Sequence, residues 1–328
     1  MFCVRDNVFI WEYVIRGTMK VLITGGTGSF GHIATRELLT RDDVEKIVIY
    51  SRGEEKQREM RLSFPDDRVK FIIGDTRDYE QVYESVKGID IIFHAAALKQ
   101  MPTIEECPYE AVKTNIIGTW NVKRAAIENK VNKALLIGTD KAVMPINAYG
   151  MTKALAEKIW LNFESDENTP RFAVVRYGNV VGSTGSVIPI FRGMIKQKKP
   201  LLITNPGMTR FLITLKQAIE LVFFAVENMK NRETYVPKIP ACKIIDLAKA
   251  IGGEEYPIKI IGIRPGEKIH ETLVNEDEMR RAKECKNCFI IYPRGCYDSG
   301  IIFDEFRSDK TEQLSISEIK ELLEETGV

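Results

Sequence analysis

The sequence has little net charge, few cysteines and no long apolar run. Its 47 lysines and arginines nearly cancel 46 aspartates and glutamates in 328 residues, so no global field attracts nucleic acid or an anionic membrane. The six cysteines are scattered along the chain, unlike a small disulfide framework, so we expect a reducing, cytoplasmic location. Internal repeats and low-complexity tracts are also missing. The 44% of hydrophobic residues suffices for one large core or two smaller ones.

The first 18 residues, MFCVRDNVFIWEYVIRGT, contain too many charges for a signal peptide and are too short for a membrane span. We therefore expect no membrane insertion. Met19 opens MKVLITGG, which is typical of an ordinary first strand. Residues 1–18 are thus either a short appended segment or the result of a misassigned start codon, and the sequence leaves both open.

Short apolar runs alternate with amphipathic stretches from Lys20 onward, which predicts an α/β fold with a Rossmann-type, doubly wound parallel sheet. The predicted strands are Val21–Thr24, Lys46–Tyr50, Val69–Ile73, Ile89–Phe93, Ala134–Ile137 and Ala173–Arg176. The predicted helices include Gly31–Leu39, Tyr79–Val86, Ala111–Asn129 and Tyr149–Phe163.

After Arg176 the alternation gives way to segments punctuated by glycine and proline, which predicts a smaller C-terminal substrate lobe over the carboxyl ends of the strands. We expect a dinucleotide-binding domain over 19–178. The substrate lobe covers mainly 179–300, with some segments returning to the first domain. Residues 301–328 form a tail with an amphipathic helix, which Ser315 and Glu318 start as a capping box.

The segment TGGTGSFG, Thr24 to Gly31, is the first chemical motif. Three glycines follow a strand and open a helix, so backbone amides can approach a pyrophosphate at the positive helix end. The alternative is a tight turn without a ligand. The order of strand, glycines and helix favours a dinucleotide site, whose predicted loop residues are Gly25, Thr27, Gly28, Ser29, Phe30 and Gly31.

The end of the second strand decides between the two nicotinamide cofactors. It carries Ser51 and Arg52, with Lys56 following, where NAD enzymes usually place a carboxylate. A hydroxyl and a guanidinium suit a 2′-phosphate, so we expect NADP, with NAD as the alternative. Further cofactor contacts are predicted after the third and fourth strands, at Asp75, Thr76, Ala95, Ala96 and Ala97.

Tyr149 and Lys153 lie four residues apart, on one face of a helix. A tyrosine is a poor base at neutral pH unless a nearby cation favours its phenolate. Lys153 supplies that cation, and Thr139 adds a hydroxyl. We expect all three to be catalytic, with Tyr149 and Lys153 also contacting the cofactor.

These motifs together resemble the extended short-chain dehydrogenase/reductases that act on nucleotide sugars. Further along the chain are the segments TDKAVMPINAYGMTK, RYGNVVGSTGSVIPIF, NPGMTRF and RPGEKIHE, together with Asn115 in NIIGT. With these segments the chain resembles more narrowly, from Met19 to Tyr292, the inverting UDP-N-acetylglucosamine 4,6-dehydratases of capsule biosynthesis and flagellin modification.

The resemblance implies roles for Asp140 and Lys141, which directly follow Thr139. Tyr149 takes the O4 proton while the C4 hydride passes to NADP, Lys141 takes the C5 proton, and Asp140 protonates the leaving 6-hydroxyl. Lys141 must be neutral for this role, and we expect burial or the nearby Lys153 to lower its pKa. The alternative is a surface ion pair at positions 140 and 141, which favours a 4-epimerase.

The resemblance also implies a UDP-sugar site and a homo-oligomer. The expected substrate residues are Lys99, Asn179, Arg210, Arg264 and Glu267, with Lys99 and Asn115 also near the cofactor. A non-catalytic NADP-sensing protein is a further alternative, which the intact tyrosine–lysine pair disfavours. We expect no metal site, because Cys285-x-x-Cys288 has no second ligand pair, and two free thiols is the better interpretation.

Overall fold

The computed structural model describes residues 18–162, 169–183, 185–295 and 304–327. The strands of these residues are β1 (Met19–Thr24), β2 (Val44–Ser51), β3 (Val69–Ile73), β4 (Ile91–His94), β5 (Lys133–Ile137), β6 (Arg171–Val175), β7 (Asn179–Val180), β8 (Leu201–Ile203), β9 (Thr209–Ile213), β10 (Glu233–Pro237), β11 (Ala241–Lys243), β12 (Ile258–Ile260), β13 (Thr272–Val274), β14 (Ala282–Glu284), β15 (Cys288–Ile291) and β16 (Phe306–Arg307). The helices are α1 (Ser29–Leu39), α2 (Glu54–Ser63), α3 (Tyr79–Val86), α4 (Met101–Glu106), α5 (Pro108–Ala111), α6 (Gly118–Glu128), α7 (Ala148–Leu161), α8 (Val187–Lys196), α9 (Leu215–Asn228), α10 (Ile244–Gly252), α11 (Glu276–Met279) and α12 (Ile316–Glu325).

A nine-stranded sheet in the order β14-β15-β10-β6-β5-β4-β1-β2-β3 organises the described chain. Each neighbouring pair in the part of the sheet with the order β10-β6-β5-β4-β1-β2-β3 is parallel. At the other edge, β15 is antiparallel to β10 and β14 is antiparallel to β15. Helices cover both faces, so both side-chain sets of a strand are apolar: Val21 and Ile23 pack toward α1 and α9, and Leu22 packs toward α3 and α6. The predicted α/β fold with a doubly wound parallel sheet is confirmed.

One predicted helix differs in kind from the observed structure. Instead of a single helix over Ala111–Asn129, the chain forms α5, a π-helical segment at Val112–Ile117, and α6. The hydroxyl of Thr119 donates to the Asn115 carbonyl at 2.6 Å, and a side chain inserted into the helical ladder in this way loosens it. The predicted helix Tyr149–Phe163 is α7, and Phe163 lies outside the described residues.

Three small sheets and a separate apolar cluster follow the first six strands. The sheets are β11-β9-β7, β12-β8 and β13-β16, and the cluster joins α8, α10 and α12. The predicted capping box is confirmed: Ser315 and Glu318 exchange hydrogen bonds at the start of α12, which buries Ile319 and Leu323. Within the described ranges, no helix has the length and apolarity needed to cross a bilayer.

Candidate active site

The glycine loop has a backbone shape that side chains would block. Gly25 has φ +64°, and a Cβ there would lie 2.7 Å from the Ala96 Cα. A Cβ on Gly31 would lie 1.9 Å from the Gly26 carbonyl oxygen, so α1 packs directly on the loop. Gly28 is the N-cap of α1 and has no side chain to cap the first turn. The loop can therefore bring a phosphate group to backbone amides at the helix N-terminus.

The other predicted loop residues lie at the start of α1. Thr27 precedes Gly28, and Ser29 and Phe30 begin the helix. The Phe30 ring packs edge-on against Phe93 of β4, with the centroids 6.0 Å apart. This contact fixes the first turn of α1 against the sheet.

His94 at the end of β4 links the glycine loop to the helices behind it. Its Nδ1 lies 2.6 Å from the Thr24 hydroxyl and its Nε2 lies 3.0 Å from the Thr119 hydroxyl. The ring is fully buried and stacks on Trp160. Burial, with a smaller effect of Lys153, lowers the pKa of His94 to about 3, so the imidazole is neutral.

Asn115, which we predicted to contact the cofactor, is instead buried, with 1% of its surface exposed. Its Oδ1 accepts from the Leu98 amide at 2.8 Å, and its Nδ2 donates to the Leu98 carbonyl and to the Thr152 hydroxyl, each at 3.1 Å. The amide is used to hold the chain after β4 against α7. These contacts give Asn115 a positioning role, and its contact with the cofactor stays a prediction.

The segments at the carboxyl ends of β2 and β3 contain the groups expected to distinguish NADP from NAD. The Ser51 hydroxyl accepts from Gln57 at 3.1 Å, and Arg52 is exposed, as is Lys56 on α2. The predicted cofactor residue Asp75, in the segment after β3, places a carboxylate 3.7 Å from Arg52. Burial opposes ionisation of Asp75, but hydrogen bonds from Arg77 lower its pKa.

The residues expected near the nicotinamide follow β4. Ala95, Ala96 and Ala97 are partly exposed, and Ala95 donates its amide to the Thr24 carbonyl at 3.1 Å. Lys99 is exposed two residues further on. Thr76, by contrast, is buried behind β3, where its carbonyl accepts from Asn121 at 3.0 Å. The three alanines thus lie partly exposed at the carboxyl end of β4, next to the glycine loop.

Tyr149 and Lys153 share one face of α7, as predicted, but they do not form the expected pair. Lys153 is buried and donates to the Ile137 carbonyl at 2.8 Å. Burial lowers its pKa to about 8, although Glu157 opposes this. Burial raises the pKa of Tyr149 to about 12, and the main opposing influences are Lys141 and a hydrogen bond with Thr139. Lys141 thus supports the phenolate more directly than the sequence suggested.

Thr139, Asp140 and Lys141 form one hydrogen-bonded group at the carboxyl end of β5. The Thr139 hydroxyl donates to Asp140 Oδ1 at 3.0 Å, and Lys141 Nζ donates to the same oxygen at 2.9 Å. Asp140 is 1% exposed, and its Oδ2 has no hydrogen-bond partner among the described residues. Asp140 is therefore part of the site's interior and not a surface turn.

The predicted lowering of the Lys141 pKa is wrong for this arrangement. Burial does act in that direction, but the carboxylates of Asp140 and Glu271 outweigh it and raise the pKa. Glu271 Oε1 lies 3.6 Å from Lys141 Nζ. Lys141 is consequently an ammonium in the ligand-free protein.

Two of the predicted substrate residues lie beside this group. Asn179 on β7 accepts from Lys141 Nζ at 3.1 Å. Arg210 on β9 is 8% exposed, and its guanidinium donates to the carbonyls of Thr209, Ile269 and Lys268 at 2.7 to 3.0 Å. The structure thus gives Arg210 a role in joining β9 to the segment at Lys268 and Ile269. Its contact with the substrate stays a prediction.

Two further predicted substrate residues, Arg264 and Glu267, close an exposed turn, and the fifth is the exposed Lys99 described above. The Arg264 amide donates to the Glu267 carboxylate at 3.3 Å, and the Glu267 amide donates to the Arg264 carbonyl at 3.1 Å. Gly266 between them has φ +78°, and its carbonyl accepts from Asn147 at 2.8 Å. Asn147 also caps α7 through the Gly150 amide, so this turn is tied to the helix that carries Tyr149.

Sequence reasoning gave no role to Glu271, Asn147 or the buried pair Glu157 and Arg176. Glu271 lies inside the quoted RPGEKIHE segment, which was the available signal. Arg176 contacts Glu157 at 2.7 Å and Glu278 at 2.9 Å behind α7. Among the described residues no group of three or more His, Cys, Asp or Glu side chains could hold a metal, and Cys285 and Cys288 are free thiols.

A parallel sheet with a glycine loop after β1 and Tyr-x-x-x-Lys on α7 defines the class of short-chain dehydrogenase/reductase folds. Comparisons with known proteins agree. The chain is 44% identical, over 92% of its length and 94% of the relative's, to a protein of Rickettsia bellii named UDP-glucose 4-epimerase. It also matches the X-ray structure of Pen from Bacillus thuringiensis, with a TM-score of 0.89 and 35% identity over 95% and 98% of the two chains.

A more distant structure shares the fold. It is DesIV, a dTDP-glucose 4,6-dehydratase of Streptomyces venezuelae with NAD bound, with a TM-score of 0.69 and 18% identity over 76% and 87% of the chains. Residues 21–293 match the family model described as polysaccharide biosynthesis protein. The chain belongs to that family.

Proposed function

We propose that the protein is an NADP-dependent UDP-N-acetylglucosamine 4,6-dehydratase that inverts C5. The product would be UDP-2-acetamido-2,6-dideoxy-β-L-arabino-hex-4-ulose, for surface glycan biosynthesis. The observation that carries the proposal is the Asp140–Lys141 pair, joined at 2.9 Å beside Tyr149. Dehydration needs an acid for the leaving hydroxyl and a base for C5 in addition to the tyrosine, and this pair supplies two such groups.

The glycine loop suits a dinucleotide, because Gly28 begins α1 without a side-chain cap and leaves backbone amides of the first turn for a pyrophosphate. Bound NADP would accept hydride from C4 and return it to C6. Arg52 and Lys56 are exposed where a 2′-phosphate would lie, which supports NADP. Asp75 beside Arg52 weakens that preference. Because Arg52 supplies a cation for the 2′-phosphate, the ratio of NADP to NAD affinity should fall when Arg52 is replaced by alanine.

The side chains divide the proton transfers among three positions. Tyr149 takes the O4 proton while Lys141 is still charged, helped by that charge and by the hydroxyl of Thr139. Lys141 then passes a proton to Asp140 along their hydrogen bond and, once neutral, takes the C5 proton, while Asp140 donates to the 6-hydroxyl, which leaves as water. Lys153, fixed on the Ile137 carbonyl, keeps a positive charge below the tyrosine.

The UDP-sugar would lie across the carboxyl ends of the strands, between α7 and the turn at Arg264–Glu267. Arg264 is exposed there and suits the pyrophosphate, and the Glu267 carboxylate suits the ribose hydroxyls. Asn179 and Lys99 would face the sugar. Arg210 would act by holding this turn in place through its carbonyl contacts.

A 4-epimerase is the second candidate, and two observations favour it. The 44%-identical relative bears that name, and Lys141 is an ammonium in the ligand-free site. An epimerase needs Tyr149 and the dinucleotide but no base at C5. Asp140 and Lys141 would then serve only to orient the sugar.

The products of UDP-N-acetylglucosamine distinguish the candidates. Purified protein is incubated with the substrate and NADP, and the sugar is followed by mass spectrometry and proton NMR. A product one water lighter, with a new C6 methyl group, supports the dehydratase. A product of unchanged mass with an axial C4 hydroxyl transfers the assignment to epimerase.

We also propose that the enzyme is a cytoplasmic homo-oligomer that associates through helices flanking the sheet. Trp120 on α6 and Met151 and Leu155 on α7 are large apolar side chains at the surface, which supports an interface there. Light scattering of the wild type should show a multimer, and Trp120→Glu should shift it toward monomer. A monomeric wild type would contradict this part of the proposal.

A further inference from the structure

Glu271 lies immediately before β13, directly beneath the Asp140–Lys141 pair. It is 3% exposed, and three cations surround its carboxylate. Lys141 Nζ lies at 3.6 Å, Lys268 Nζ at 3.5 Å and Arg210 Nε at 3.8 Å. A buried carboxylate at these distances acts on its neighbours mainly through its charge.

The main chain of Glu271 is firmly held, although its carboxylate is not. Its amide donates to the Ser308 hydroxyl at 2.9 Å, and that hydroxyl lies 2.6 Å from the Thr209 hydroxyl. The carboxylate Oε2, in contrast, has no hydrogen-bond partner among the residues that the structure describes and has only the Lys268 ammonium, at 3.5 Å, as an ion-pair contact. The carboxylate is therefore held by charge more than by directed hydrogen bonds.

The proposed dehydration poses a proton problem at this position. It requires a neutral Lys141 and a protonated Asp140, whereas the ligand-free site holds an ammonium and a carboxylate. One proton moving from Lys141 Nζ to Asp140 Oδ1, along the existing 2.9 Å hydrogen bond, gives both required forms. No other group gains or loses a proton, and the total charge is unchanged.

We propose that Glu271 is a positioning residue that sets where this proton lies. Its negative charge beside Lys141 favours the ammonium and carboxylate form, and the cations Arg210 and Lys268 limit that bias. The form with a neutral Lys141 and a protonated Asp140, which abstracts the C5 proton, would then be reached only when the negative charge of Glu271 is weakened or balanced by cations. This inference rests on the proposed function, because an epimerase has no use for a neutral Lys141.

The charged and titratable groups around Lys141 come from four elements. They are Asp140 from the turn after β5, Tyr149 from α7, Arg210 from β9, and Glu271 before β13. Burial lowers the Lys141 pKa, but the two carboxylates outweigh burial and Arg210 and raise it. The neighbouring His270 contacts Thr209 and faces Asp309, away from this group.

The test compares Glu271→Gln with Lys268→Met in the full-length protein. Because the transfer from Lys141 to Asp140 leaves the number of protons unchanged, the reactive form is a fraction that does not vary with pH. Removing the Glu271 charge should therefore raise the plateau of the rate–pH profile for dehydration, about tenfold for each unit by which the Lys141 pKa falls relative to that of Asp140. Removing Lys268 leaves Glu271 less balanced, so the plateau should fall. A lower plateau for both variants would mean that Glu271 is only structural, and would overturn the inference.

A second readout does not depend on turnover. Acetic anhydride labels neutral amines, so the pH dependence of Lys141 acetylation, measured by peptide mass spectrometry, reports its protonation directly. The midpoint should fall in Glu271→Gln and rise in Lys268→Met. Equal midpoints in all three proteins would overturn the inference. Shifted midpoints in a protein that releases no water from the sugar would show that Glu271 sets the Lys141 proton but would reject the dehydratase, and with it the catalytic role proposed for that proton.

Discussion

The glycine loop and the charge cluster around Lys141 lie at the same edge of the sheet but are built differently. The loop is formed by eight consecutive residues, and its geometry depends on backbone, as the 2.7 Å approach of a Gly25 Cβ to Ala96 shows. The cluster takes Lys141, Asn179, Arg210 and Glu271 from four separate segments, held by charge and side-chain hydrogen bonds.

This difference separates the part of the site that binds from the part that selects the reaction. A backbone cradle recognises what all dinucleotides share and tolerates little change. Side chains from separate elements can be exchanged without altering the sheet, so they can direct one fold to different reactions. Under the proposed function, we expect the cluster to be where dehydration and epimerisation are decided.

The largest expected effect comes from removing the tyrosine hydroxyl in the shared part of the chemistry. Tyr149→Phe should lower kcat about a thousandfold, since general base catalysis contributes about 10²- to 10⁴-fold. Dinucleotide binding, measured by fluorescence titration, should remain because the loop is untouched. Substantial remaining turnover would show that another group takes the O4 proton.

The buried Arg176 lies behind α7, where it forms ion pairs with Glu157 and Glu278. Its replacement tests how much these buried ion pairs stabilise the protein. Arg176→Met leaves Glu157 and Glu278 buried without their cation and should lower the free energy of unfolding by about 3–5 kcal/mol. The exposed Arg171 on β6 is the matched control, and Arg171→Met should change stability by less than about 0.5 kcal/mol. Denaturant unfolding measures both, and equal stabilities would contradict the account.

His94 connects the loop to the helices, and its burial predicts a pH effect on stability. Its pKa is about 3 in the folded protein, against an ordinary value of 6.5. Below pH 6.5 the unfolded chain binds a proton that the folded protein excludes, so stability should fall by about 1.4 kcal/mol per pH unit toward pH 3. Replacing His94 with asparagine should flatten this slope in urea unfolding curves. An unchanged slope would assign it to other groups.

The smallest effect tests the backbone cradle itself. Gly25→Ala places a side chain at φ +64° against Ala96 and should cost about 1–3 kcal/mol and weaken dinucleotide binding. Gly53 is the control, because a Cβ there meets its nearest atom at 3.8 Å and the backbone φ is −85°. Calorimetry should find that Gly53→Ala costs no more than about 1 kcal/mol, because its only expected penalty is alanine at the N-cap of α2. Equal losses of stability in Gly25→Ala and Gly53→Ala would contradict the claim that the glycine loop depends on the backbone geometry at Gly25.

The sequence predicts the first region better than the second. The order of strand, glycines and helix maps directly onto geometry, and so does the four-residue spacing of Tyr149 and Lys153. The contacts of Glu271 depend on β13 packing beneath the turn at Asp140–Ala142, which no local pattern encodes. For the same reason the sequence assigned Lys141 a lowered pKa, whereas Asp140 and Glu271 raise it. The sequence also does not predict that the Asn115 side-chain amide donates to the Leu98 carbonyl and to the Thr152 hydroxyl.

The most direct test of the central claim is the fate of the C5 proton. Wild type and Lys141→Met are incubated with UDP-N-acetylglucosamine in deuterated water, and the sugar is examined by NMR. The account predicts a 6-deoxy-4-keto product with deuterium at C5 and inverted configuration from the wild type, and none from the variant. A water-retaining C4 epimer with hydrogen at C5, formed equally by both proteins, would contradict it.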